Sequence, residues 1–182
     1  MRLEAGRPVT DENRLDREMR VYDFLDRLNI EYARADHDAA RTMEDCVAID
    51  EALGVKMCKN LFLCNRQKTK FYLLLMPADK PFKTKELSAQ INAARLSFAP
   101  GEKMLEYLDI EPGAVSVLGL MNDSGNAVTL LVDRDLLSDE FIGCHPCVNT
   151  SSLKLKLSDL LEKFLPATDH AFTEVTLGLM NN

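Results

Sequence analysis

Two short stretches hold the residues whose types and spacing could do chemistry. In Lys56-Met57-Cys58-Lys59-Asn60-Leu61-Phe62-Leu63-Cys64-Asn65, a lysine and an amide stand where an apolar run begins. An ammonium in a cleft brings three donors and a full charge, which suits a phosphate or a developing oxyanion. Asn60 points to the other strand face, or bends back at the strand end. The plainer alternative is that Lys59 is an edge lysine that discourages aggregation. The second stretch, Cys144-His145-Pro146-Cys147, sets two thiols around one of three histidines, the others being His37 and His170. A redox dithiol needs one lowered thiol pKa, usually at a helix N-terminus, whereas strand alternation follows this C-x-x-C. Structural zinc would find at most three ligands here.

Other chemistries lack their signatures. No G-x-S-x-G elbow appears, which argues against an α/β-hydrolase triad. Neither G-x-G-x-x-G nor G-x-x-x-x-G-K-[ST] is present, so the usual phosphate loops are missing. Nothing selects a cysteine–histidine nucleophile pair. Asp133 and Asp135 read as carboxylates favoured at a helix N-terminus.

The elements that must position these residues are legible from periodicity. Apolar residues from Glu12 to Asn29 recur at three- and four-residue steps, which predicts an amphipathic helix. Ile30 and Tyr32 open a short strand. Thr42 with Asp45 forms a capping-box pattern, and Gly54 closes that helix. Strands over Met57–Cys64 and Lys70–Met76 flank the turn NRQKT. A helix over Thr84–Ala93, a strand at Leu96–Phe98 and a helix over Gly101–Leu108 follow. AVSVLGL and AVTLLV read as strands joined by the hairpin turn NDSGN. A helical piece near Leu136, strands in FIGCHP and SSLKLKL, and a last helix capped by Ser158 complete the chain. This pattern predicts an α+β fold with a mixed, mainly antiparallel curved sheet and surrounding helices. Residues 1–10 read as a flexible end and 11–182 as one domain.

The chain has 182 residues, 46% hydrophobic and 28% charged, a globular profile. No apolar run approaches the ~20 residues of a membrane span, and the charged N-terminus is no secretory signal. Five cysteines, an odd number, predict reduced thiols and a cytoplasmic protein. The net charge of −7 speaks against a protein that coats nucleic acid. Residues 56–103 nevertheless carry ten basic and three acidic side chains, a local face that could meet phosphates.

KNLFL resembles the signature strand of the YbaK-like aminoacyl-tRNA deacylase family, in its free-standing prolyl-tRNA editing branch. Further stretches follow in order: His37 and Thr42 in DHDAARTMED, Arg95-Leu96-Ser97-Phe98, Pro112-Gly113-Ala114-Val115-Ser116 with Gly119, and Cys144-His145-Pro146 with Asn149-Thr150. The resemblance implies a hydrolase that removes a mischarged amino acid from tRNA, usually alanine from proline tRNA. It places catalytic roles on Lys59, Asn60 and His145. Gly113, Ser116, Gly119, Pro146, Asn149 and Thr150 would bind substrate, His145 excluding the larger proline. Lys56, Arg66, Lys68 and Lys70 would contact the tRNA. Water attacks the ester with help from the terminal hydroxyl of the tRNA, and no metal or cofactor is implied. Prolyl-tRNA synthetase or an elongation factor is the implied further partner. The alternative is a non-catalytic module of this fold that binds tRNA ends or a synthetase. Cys147 and Ala114 depart from the family pattern, at positions where an apolar residue and serine are common.

Overall fold

The computed structural model describes residues 1–178. Its strands form two sheets. In the first, β1 (Leu3–Ala5), β2 (Tyr32–Asp36), β8 (Ser151–Lys156) and β7 (Phe141–Cys144) lie in that order, all antiparallel. In the second the order is β5 (Leu96–Phe98), β3 (Lys59–Asn65), β4 (Phe71–Met76), β6 (Val128–Asp133) and β9 (Phe172–Val175). The β5–β3–β4 pairs are antiparallel, and β4–β6 and β6–β9 are parallel. The α+β class holds, with two sheets where one was expected. A parallel bridge, Met57 to Gly143, connects them, and the Cys58 N–H donates to the Gly143 carbonyl at 3.0 Å.

Side-chain alternation along β3 explains the layers. Phe62 and Cys64 enter the main core with Leu73, Leu75, Leu153 and Tyr22. Leu63 faces the other way, into a second cluster with Leu74, Met76, Leu87 and Val175. The central strands are thus buried on both faces, which is why FYLLLM is apolar throughout. Helix α1 (Asp16–Arg27) contributes Val21, Tyr22 and Leu25 to the main core.

Several local signals act as their chemistry requires. Thr42 and Asp45 form a reciprocal capping box at the start of α2 (Met43–Leu53), and Gly54 ends it at φ 62°. Asn65 accepts from the Thr69 and Lys70 N–H groups and closes the β3–β4 turn. Asp133 accepts from the Asp135 N–H and starts a 3-10 turn, Arg134–Ser138, as its acidic position suggests. Helices α3 (Thr84–Gln90) and α4 (Gly101–Leu108) lie where the periodicity puts them.

The structure corrects four readings. Residues Leu3–Ala5 pair with β2, where a flexible end was expected. AVSVLGL makes no strand. Ser116 Oγ accepts from the Leu118 N–H at 3.2 Å and starts a 3-10 helix, Val117–Asn122, so these amides cannot join a ladder. The following Asp123 accepts from Ala127 and Val128 and turns the chain into β6, which pairs in parallel with β4 and makes no hairpin. The last helix begins at Leu157 with no side-chain cap from Ser158. Its segments are α5 (Leu157–Asp159), a π turn (Leu160–Phe164) and α6 (Leu165–Ala167), the widening falling just before Pro166, which has no N–H to donate.

Candidate active site

The site is built on a gap in the β3 edge. Peptide groups along a strand point alternately to its two neighbours. The Cys58 N–H donates to Gly143, and the Phe62 carbonyl accepts from Ala99 at 2.9 Å on the same edge. Asn60 lies between them with the same alternation, while β5 pairs only with Leu63–Asn65. The main-chain N–H and C=O of Asn60 therefore face a cleft of about 560 Å³. Its lining includes Asn60, Phe62, Phe98, Met104, Pro112 and His145.

The Asn60 side chain is fixed at both ends. Its Oδ1 accepts from the Val117 N–H at 3.1 Å, and its Nδ2 donates to the Cys58 carbonyl at 3.2 Å, with Cys58 Sγ also at 3.2 Å. The amide thus ties the strand edge to the 3-10 helix. This explains an amide at the head of an apolar strand.

His145 is held through its ring. Nδ1 lies 2.9 Å from the Ser151 carbonyl, which can only accept, so Nδ1 carries the proton. Burial lowers the His145 pKa below its ordinary 6.5, against the Ser151 hydrogen bond, and nearby His37 adds to the lowering. The ring is therefore neutral at pH 7, with Nε2 an acceptor. The strand that supplies Ser151 is itself anchored. Ser151 Oγ donates to Asp36 at 2.6 Å, and Arg14 donates to Asp36 at 2.7 Å. Against the upward pull of burial, hydrogen bonds from Arg14, Ser151 and Arg34 hold the Asp36 carboxyl well below the usual carboxylate range. His37 Nδ1 donates to the Asp38 carbonyl at 2.8 Å, its Nε2 lies 2.8 Å from Ser152 Oγ, and its ring lies 6.3 Å from His145.

The other predicted site residues divide. Gly113 lines the cleft at φ 94°, and a Cβ there would lie 3.7 Å from Asn149 Nδ2. Lys59 does not line it. It projects from the face opposite Asn60, and its ammonium donates to the Lys80 carbonyl at 3.0 Å. Ser116 is fully buried as the 3-10 cap and lies outside the lining. Gly119 is a packing position, where a Cβ would come within 2.6 Å of Ile110 Cδ1 and 3.2 Å of the Leu108 carbonyl. Pro146 is buried and lies outside the lining, and the Thr150 carbonyl accepts from the His37 N–H. Lys56 is exposed and pairs with Asp79 at 3.1 Å. Arg66, Lys68 and Lys70 are exposed at the far end of the hairpin, roughly 20 Å from Asn60 at about 3.3 Å per residue.

The C-x-x-C offers no reactive thiolate. Cys144 and Cys147 are both buried, and burial pushes the Cys147 thiol up to about 12 and Cys144 well above its usual value.

The family model of the aminoacyl-tRNA editing domain matches residues 37–163. The chain belongs to this family. It is an aminoacyl-tRNA deacylase, and mischarged tRNA is its substrate. The editing domain is 31% identical to the prolyl-tRNA editing protein ProX of Acetoanaerobium sticklandii, over 90% of this chain and 99% of that one. It is 33% identical to the prolyl-tRNA synthetase associated domain-containing protein 1 of Danio rerio, over 86% of this chain and 85% of that one. A crystal structure described as a candidate trans-editing enzyme for prolyl-tRNA synthetase shares the fold, with a TM-score of 0.66 at 15% identity over 90% of this chain and 99% of that one. Among the described residues of the editing domain, no helix is long and apolar enough to cross a membrane.

The sequence reading gave Phe98 and Met104 no role in the cleft, and gave His37 only a place in a motif. Met104 carried the signal of an ordinary core helix position. Phe98 lay in the quoted RLSF stretch, but a three-residue strand has too little alternation to say which way a ring points.

Proposed function

We propose that this chain edits proline tRNA in trans, with alanine as the preferred mischarged amino acid. The likeness to a protein named for prolyl-tRNA editing over nearly all of both chains supports the tRNA choice. The observation that carries the chemistry is the open edge at Asn60 beside a neutral His145. With the ester carbonyl over this gap, the Asn60 N–H donates to the oxygen as it gains charge. Water adds to the ester carbon and the bond to the ribose oxygen breaks; one proton of the water passes to that oxygen and the other to solvent. The amino acid leaves as its carboxylate. The vicinal hydroxyl of the terminal ribose orients the water, so no protein nucleophile is required.

His145 Nε2 accepts from the α-ammonium of the bound amino acid. The ring, with Phe62, Met104 and Pro112, closes the amino-acid end. Such a wall selects by exclusion: alanine fits and the broader proline ring does not. Lys59, on the far face of β3, meets a phosphate of the 3′ end. The test is ester loss from alanyl- and prolyl-charged proline tRNA. Selective loss of alanine supports the reading, and equal or absent loss defeats it.

A further inference from the structure

We infer that Phe98 is the platform on which the unpaired 3′-terminal base of the tRNA stacks. The inference rests on the reading that the cleft holds the aminoacylated 3′ end. Phe98 is 64% exposed, the one aromatic among the strongly exposed large apolar side chains of the described residues. It lines the same cleft as Asn60 and His145.

Its position is fixed by the sheet. Phe98 pairs with Leu63 on β3. Cross-strand partners project to the same face, so Phe98 shares a face with Leu61 and Lys59, and Asn60 and Phe62 occupy the other. Phe82 steadies the ring from the side, with centroids 6.4 Å apart and planes at 65°. The open edge of β3 thus divides the cleft into two halves. One holds His145, Met104 and Phe62 and takes the amino acid. The other presents Phe98 and Leu61, with Lys59 the next residue on that face beyond Leu61.

A nucleoside ester laid across the edge places its carbonyl at Asn60 and its base on the Phe98 side. A ring exposed on a cleft wall gains apolar burial when a flat ligand covers it. Single-stranded nucleic acid ends are recognised by such stacking, which tolerates any base because every base has a π face. The occupant fits the family substrate, whose 3′ end is unpaired. Lys59 on the same face supplies the cation that a following phosphate needs.

The test uses the full chain and proline tRNA carrying 2-aminopurine as its terminal base. Stacking on Phe98 predicts a fluorescence change on binding uncharged tRNA, lost in Phe98→Ala and kept in Phe98→Trp. With alanyl-charged tRNA, Phe98→Ala should raise KM at least about fivefold, the lower end for one stacked base, with kcat within about twofold. Removing the terminal base should weaken wild-type binding by a similar factor and leave Phe98→Ala nearly unaffected. An unchanged KM in Phe98→Ala, or equal loss in both proteins on base removal, overturns the inference. If the wild type hydrolyses no aminoacyl ester, the proposed function fails, and the fluorescence change still decides whether the base stacks.

Discussion

Asn60 Oδ1 accepts the Val117 N–H at 3.1 Å, and this bond joins the open edge of β3 to the 3-10 helix behind it. The amide's other end reaches the Cys58 carbonyl, so one side chain ties Cys58, on one side of the gap, to the turn that carries Val117.

Replacing Asn60 separates positioning from chemistry. Asn60→Ala strands the Val117 N–H and should cost about 1–2 kcal/mol of stability. It should also lower kcat/KM about 10- to 100-fold as the edge relaxes. Asn60→Asp keeps an acceptor for Val117, but it loses the Nδ2 donor to the Cys58 carbonyl and sets a carboxylate oxygen against it, beside the forming oxyanion. Its melting temperature should fall about as much as that of Asn60→Ala, while its activity falls further. Thermal melts and single-turnover deacylation of both variants check this.

The neutral state of His145 fixes the pH response. Its folded pKa lies below the ordinary 6.5, because burial disfavours the imidazolium. As pH falls below 6.5 the unfolded chain takes up this proton before the folded one does. The stability it contributes is therefore present above 6.5 and lost as pH falls through the folded value. Once the ring takes up its proton, below pH 6.5, Nε2 can no longer accept from the α-ammonium, and deacylation should decline there. In His145→Gln that decline should vanish, and discrimination between alanine and proline should weaken. A pH–rate profile with both charged tRNAs reads this.

Lys59 acts from the opposite face, so its loss should look electrostatic. Lys59→Ala should raise KM and reduce the salt slope of tRNA binding by roughly 0.7–0.9, the contribution of one phosphate contact. Binding measured across salt concentrations tests it. An unchanged slope removes Lys59 from the phosphate path.

Gly119 serves packing. Gly119→Ala should destabilise by about 1–3 kcal/mol, since its Cβ meets Ile110 and the Leu108 backbone. KM should not change below the melting transition, as measured by denaturant titration alongside kinetics.

Of the five thiols only Cys46 is exposed. A thiol-specific reagent at pH 7 should label one cysteine quickly and the other four only on unfolding. Fast labelling of Cys144 or Cys147 would revive a redox role.

Local chemistry was the legible part of the fold. The Thr42–Asp45 box, the Gly54 stop and the β3–β4 hairpin are all encoded within a few residues of where they act. Long-range partners were not. β4 and β6 pair in parallel across some fifty residues, and strands buried on both faces have no alternation to reveal their neighbours. AVSVLGL is apolar enough for a strand. Only the Asn60 amide and the Ser116 cap, each acting through space or at the turn itself, make it a 3-10 helix. β1 is exposed at all three residues and carries no pattern. In the site, the resemblance picked out Asn60, Gly113 and His145, which meet in the cleft. It could not show that Lys59 leaves by the other face, or that Ser116 and Gly119 support the cleft from behind.

The most direct test of the central claim is the time course of ester loss from alanyl-charged and prolyl-charged proline tRNA, with wild type and Asn60→Asp. The account predicts rapid loss of alanine alone by the wild type and little loss in the variant. Equal loss of both amino acids, or full activity in Asn60→Asp, would contradict it.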